Sequence, residues 1–146
     1  MEDIMVLCGV EIKGSEAIFA VAELVNGSWM HIPTETKRIV LKDDDDAKNV
    51  RSFADLVAGF LRDNELTEVA IKKRSKKGEF AGGPTTFKIE GVFQINRECN
   101  VQLVAGQTIA ALAKKYDIAI PTTLNKYQVD AFRTACAALA QRLPKK

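Results

Sequence analysis

Residues 4–12, Ile4-Met5-Val6-Leu7-Cys8-Gly9-Val10-Glu11-Ile12, form a nearly continuous apolar run with one acid near its end. The run is too short for a typical helix and reads as a strand buried on both faces. An acid inside such a strand is costly unless it is paired, ligated or close to the strand end. Glu11 is therefore the most informative residue in the chain. A strand-end carboxylate that faces solvent or pairs with a lysine accounts for it as well as a functional ligand does.

The segments that follow build on this strand. Lys13-Gly14-Ser15 supplies a turn, residues 16–25 make a second apolar run, and Asn26-Gly27 is a strong hairpin signal because both residues tolerate positive φ. A third strand is expected over 28–41, interrupted at Pro33. Four consecutive acids, Asp43 to Asp46, then precede Val50, Phe53, Val57, Phe60 and Leu61 at helical spacing. Aspartates just before a helix satisfy its free N–H groups and favour its positive end. A cation site is the lesser alternative, since adjacent residues rarely converge on one ion. The helix is expected to stop at Asp63-Asn64.

Residues 67–73 fit a fourth strand, and 74–86 fit a long loop with three glycines and Pro84. Phe87, Ile89, Phe93 and Ile95 alternate like a strand, yet Phe87, Gly91 and Ile95 share a helical face. Val92 breaks the alternation and favours a helix over 87–97. Residues 101–104 read as a fifth strand and 107–116 as a short amphipathic helix. From Asn125 to about Leu143 a last, alanine-rich helix carries Val129, Phe132, Cys136, Leu139 and Leu143 as one stripe, with Pro144 beyond it. The order β-β-β-α-β-α-β-α predicts an α/β fold, a mixed five-stranded sheet with flanking helices. No repeat or low-complexity linker interrupts it, so residues 1–146 are expected to form a single domain.

Composition narrows the class. The 146 residues carry a formal net charge of +2, too small to announce a nucleic-acid partner by itself. Cys8, Cys99 and Cys136 are odd in number and far apart, which rules against a zinc ribbon or disulfide scaffold and suggests a reducing, cytoplasmic location. They sit among apolar neighbours and read as small buried hydrophobes. One histidine, His31, excludes most His-dependent triads, and with Trp29 it is expected simply to pack. No apolar run reaches the ~18 residues a membrane span needs, and Met1-Glu2-Asp3 lacks a signal peptide's basic start.

Two further acids join Glu11 as candidates. Asp130 lies early in the last helix, beside the apolar stripe, where an ion pair with Lys126 or Arg133 is the ordinary alternative. Glu90, next to Gly91, has the alternative of an exposed helix acid; Gly91 there permits close backbone approach.

The order of elements together with these residues resembles the RNase H-like superfamily, and within it the RuvC-like Holliday-junction resolvases. Val6-Leu7-Cys8-Gly9-Val10-Glu11 is similar to the family's first strand, which ends in Gly-Ile-Asp-x-Gly. Phe87-Lys88-Ile89-Glu90-Gly91 resembles the helix after its fourth strand, Val101 to Thr108 its fifth strand and exit, and Val129-Asp130-Ala131 with Ala135 to Ala140 its carboxylate-bearing last helix. The chain looks closest to a bacterial family of uncharacterised proteins attached to that superfamily.

The resemblance implies an RNase H-like domain whose carboxylates hold Mg²⁺ or Mn²⁺, two ions ~3.5–4 Å apart serving an in-line phosphodiester displacement. Glu11 matches the first-strand aspartate and Asp130 one of the last helix, with Glu90 as a third, so these three are the expected catalytic and metal-binding residues. The resolvases end the fourth strand in a glutamate; this chain has Ile71-Lys72-Lys73. Tyr127 and Arg133 stand where the last helix normally carries a second acid or histidine.

Lys72, Lys73, Arg74, Lys76 and Lys77 concentrate positive charge in six residues beside the presumed active edge, as phosphate neutralisation requires. A solvated loop is the alternative. Phe80 and Gly82-Gly83 beside them offer a stacking ring and a mobile loop. The expected function is thus a metal-dependent nuclease acting on structured DNA or RNA. The alternative from another class is a catalytically degenerate nucleic-acid-binding or scaffold protein. Actin-like nucleotide binding is disfavoured by the short chain. Resolvases of this type work as dimers, so a homodimer is an expectation of the resemblance.

Overall fold

A hairpin of two ten-residue strands forms the centre of the molecule. β1 (Ile4–Lys13) pairs antiparallel with β2 (Glu16–Val25) along their full length, turning at Gly14 with φ of 61°. The structure, a computed structural model, describes residues 4–74 and 83–144. Asn26 and Gly27, both at positive φ, turn the chain into β3 (Ser28–Ile32), as the Asn-Gly signal predicts.

Pro33 ends β3, because it cannot donate to a ladder. The chain re-enters as β4 (Arg38–Val40), which pairs with the other end of β2. The third strand expected over 28–41 is therefore two strands, and the mixed sheet has six strands rather than five.

α1 (Ala47–Asp63) begins where the acid run ends. The Asp46 side chain accepts from the Lys48 backbone N–H at 2.9 Å, while Asp44 pairs with Lys88 Nζ at 3.1 Å. The acid run thus caps one helix and ties it to α2 (Pro84–Gln94), a helix as the break at Val92 predicts but three residues earlier than the expected 87–97, since Pro84 suits a first helical turn and extends it into the expected loop. β5 (Glu68–Lys72) and β6 (Asn100–Val104) complete a sheet ordered β3-β2-β1-β5-β6, with β1, β5 and β6 mutually parallel. α3 (Gly106–Lys115) follows.

The last helix is shorter than expected. A 3-10 turn at Lys126–Gln128 precedes α4 (Val129–Ala140), and Gln128 Nε2 donates to the Phe19 carbonyl at 2.8 Å, holding the helix start against β2. Among the described residues, no helix is long and apolar enough to cross a membrane.

Alternation along β1 divides the core. Cys8, Val10 and Ile12 pack with Phe53 and Val57 of α1 and Ile89 and Phe93 of α2. Leu7 packs on the other face with Ala70 and with α4, whose residues 134–140 are all buried. A helix enclosed on nearly all sides demands small side chains, which explains its alanine content. Trp29 meets Tyr116 edge-on, and His31 meets Phe132 edge-on while bonding Thr123 Oγ1 through Nδ1 at 2.8 Å, so both residues of β3 pack as expected.

Candidate active site at the carboxyl edge of the sheet

The parallel register pairs Gly9 with Ala70 and Val10 with Ile71. Glu11 and Lys72 therefore follow side by side at the carboxyl ends of β1 and β5. Gly9 and Ala70 face α4, and the two-residue period carries Glu11 and Lys72 to that same face. Asp130 enters from the first turn of α4, where the positive helix end favours its charge.

Gly9 determines how near the helix comes. A Cβ there would sit 2.8 Å from the Ala135 backbone nitrogen and closer still to the Ala131 carbonyl oxygen. The backbones of β1 and α4 are therefore nearly in contact one turn beyond Asp130, and Glu11 and Asp130 meet.

The carboxyl groups of Glu11 and Asp130 lie close enough for each to perturb the other's ionisation. Lys72 Nζ donates to Asp130 Oδ2 at 3.1 Å, so the ammonium completes a three-residue cluster. Burial first, then the negative charge of Asp130, push the Glu11 carboxyl above its ordinary value against the opposing pull of Lys72. Glu11 is only 8% exposed. Burial also acts to raise Asp130, but the hydrogen bond and charge of Lys72, with the neighbouring Glu11 and Arg133, outweigh it and hold Asp130 below its ordinary value. Of the two carboxyl groups, Asp130 is thus the stronger acid and Glu11 the weaker.

Glu90 does not join this cluster. It is buried on α2, whose Ile89 and Phe93 pack with Val10 and Ile12 on the opposite face of the sheet, and its Oε2 has no hydrogen-bond partner. Nothing lies within 4 Å of a Cβ built at Gly91, so the close approach expected there is absent. Among the described residues, no three His, Cys, Asp or Glu side chains are grouped to hold a metal ion. The three-acid set of Glu11, Glu90 and Asp130 is therefore not assembled.

Of the basic cluster, Lys72 is engaged with Asp130, while Lys73 is exposed and Arg74 half-buried just beyond it. Lys76, Lys77, Phe80 and Gly82 lie outside the described residues; Gly83 precedes α2 as its N-cap. Sequence reasoning missed Gly9, which was detectable as a glycine in a buried strand, a common mark of close backbone approach. It placed Lys72 at the active edge as a phosphate contact but not as the partner of Asp130, which lies 58 residues away. Burial pushes the Cys136 thiol up to about 12 and that of Cys8 higher, so neither is a nucleophile.

The donor set suits a hard cation. Two adjacent carboxylates offer oxygen ligands, and their mutual repulsion, which adds to burial in raising Glu11, is what a divalent ion would relieve.

Residues 5–138 match the model of a family described as "Protein of unknown function (DUF3010)". No curated protein matches the chain. Among solved structures, Thermus thermophilus RuvC is similar with a TM-score of 0.73 at 12% identity, covering 94% of this chain and 96% of that one. T. thermophilus RuvC in complex with Holliday junction substrate gives a TM-score of 0.67 at 15% identity, covering 94% and 95%. These likenesses establish the RNase H-like fold that the element order led us to expect.

Proposed function

The chain belongs to the DUF3010 family, and from its RNase H-like fold and its acid pair we propose that it is a divalent-cation-dependent phosphodiesterase acting on structured nucleic acid. The observation that carries this reading is the meeting of Glu11 and Asp130, brought from β1 and α4 to one point at the carboxyl edge of the sheet. The neighbour solved with a Holliday junction substrate has the same fold, which supports a branched nucleic acid as the ligand.

Glu11 and Asp130 would hold Mg²⁺ or Mn²⁺. When bound, such an ion neutralises charge on a phosphodiester and lowers the pKa of a coordinated water. Asp130 sits at the positive start of the helix, where its ionised form is favoured, and Glu11 would add its oxygens from the end of β1. Lys73 and Arg74, just beyond the end of β5, would neutralise phosphates flanking the scissile one.

The test is cleavage of a labelled four-way junction and of a plain duplex in Mn²⁺ and in Mg²⁺, with binding titrated against salt. We expect Glu11→Gln and Asp130→Asn to remove cleavage and spare binding. Lys73→Ala with Arg74→Ala should lower the slope of log affinity against log salt by roughly 0.9 per lost duplex contact. Absence of binding to either substrate at low salt would overturn the nucleic-acid reading. A second reading, a binding protein without hydrolysis, is favoured by the Lys72 ammonium that already neutralises Asp130; binding without cleavage in both metals would assign it.

A further inference from the structure

We infer that the site takes one divalent cation rather than two, with the Lys72 ammonium standing as the second positive charge. The inference rests on the proposed phosphodiesterase reading and concerns how its site is charged.

Two ions need several carboxylates, since hard cations bind oxygen and their charge must be balanced. The described residues supply Glu11 and Asp130 and no third ligating side chain. Glu90, the third acid expected from the sequence, is carried by α2, whose Ile89 and Phe93 pack on the opposite face of the sheet. At the end of β5, where a third acid would complete the set, the side chain is Lys72, with its nitrogen 3.1 Å from Asp130 Oδ2.

Two ionised carboxylates and one ammonium leave a single net negative charge. One divalent cation with one phosphodiester brings that site to neutrality; two would leave a concentrated positive charge beside a fixed ammonium, with strong mutual repulsion. Lys72 is positioned to stay in place. Its strand backbone is paired with Val104 of β6, and its Cε lies 3.9 Å from a Cβ built at Gly106, at the start of α3. The ammonium is thus delivered on a rigid strand end, as a bound ion would be by fixed ligands.

The experiment counts Mn²⁺ bound to the full chain, by calorimetry and by loss of the free-ion electron paramagnetic resonance signal. The wild type should bind one ion at a site that Asp130→Asn removes. Lys72→Glu should bind two, because it places a third carboxylate at the same strand end. Lys72→Gln, which removes the ammonium and adds no ligand, should still bind one ion, on the order of tenfold more tightly. The Gln variant keeps the test decisive if three adjacent acids impair folding of the Glu variant. Two ions in the wild type, with cleavage intact, would overturn this inference and leave the phosphodiesterase reading standing. A single ion in a folded Lys72→Glu variant, or unchanged affinity in Lys72→Gln, would overturn the role given to Lys72. No bound ion and no cleavage at millimolar Mn²⁺ would remove the phosphodiesterase reading itself.

Discussion

Lys72 of β5 and Asp130 of α4, 58 residues apart, meet at 3.1 Å beside the Glu11 carboxyl of β1, which burial holds above its ordinary value. The contact joins a charge on the sheet to a charge on the helix that covers it. Its removal therefore has consequences for ionisation as well as for packing.

Lys72→Gln should raise the Asp130 carboxyl towards its ordinary value, read by carbon NMR titration of the side-chain carboxyls. The sign for stability follows. Because its folded value is depressed, Asp130 contributes stability that is present above its unfolded pKa, near 3.8, and lost as pH falls through the lower folded value. Unfolding curves between pH 5 and pH 2 (roughly the window in which a depressed Asp titrates) should lose part of their slope in the Gln variant. An Asp130 titration identical in both proteins would mean that the ion pair does not form in solution.

Gly9→Ala should cost on the order of 3 kcal/mol, since the added methyl meets the backbone of Ala131 and Ala135 and backbone cannot yield cheaply. Gly59→Ala, inside α1 with nothing within 4 Å of the new Cβ, should instead stabilise by about 0.5–1 kcal/mol through helix propensity. Urea unfolding of the two variants side by side checks both signs. A neutral Gly9→Ala would show that α4 can lift from β1 without penalty.

Burial, with Lys37 nearby, holds the His31 imidazole below its ordinary 6.5. The folded state then binds fewer protons than the unfolded chain between the two values, so stability declines as pH falls from 6.5 to the folded value. His31→Gln should flatten that part of the stability profile, measured by melting temperature from pH 7.5 to pH 4.5. A wild-type profile already flat there would contradict the packing of His31 against Phe132.

All three thiols are pushed up by burial, and Cys8 and Cys136 are fully enclosed. Native protein at pH 8 should resist iodoacetamide at Cys8 and Cys136, whereas urea should expose every cysteine to labelling. Rapid native labelling at Cys136, read by peptide mass spectrometry, would show that α4 opens.

The succession of strands and helices was readable because each signal is local. Asn26-Gly27 makes its own turn, Asp46 caps its own helix, and Pro33 breaks the strand that contains it. Glu11 was legible as an anomaly for the same reason, since one acid in an apolar strand stands out without knowledge of its neighbours. Asp130 was placed early in the last helix by the position of the apolar stripe alone. Gly91 was misread because helical spacing gives a residue's face and not the distance to what lies opposite.

The sequence by itself determined the order of the elements and proposed three acids, Glu11, Glu90 and Asp130, of which two come together. Tertiary structure decided which charges share a point. Strand parity puts Glu11 and Lys72 on the face beneath α4, and a one-residue slip of β5 would send Lys72 to the other face. Packing of Ile89 and Phe93 against the opposite face keeps Glu90 from Asp130, although the sequence offered Glu90 as a third member of the set. Contact between residues distant in sequence depends on register and on the approach of backbones, and those follow from the whole core closing at once.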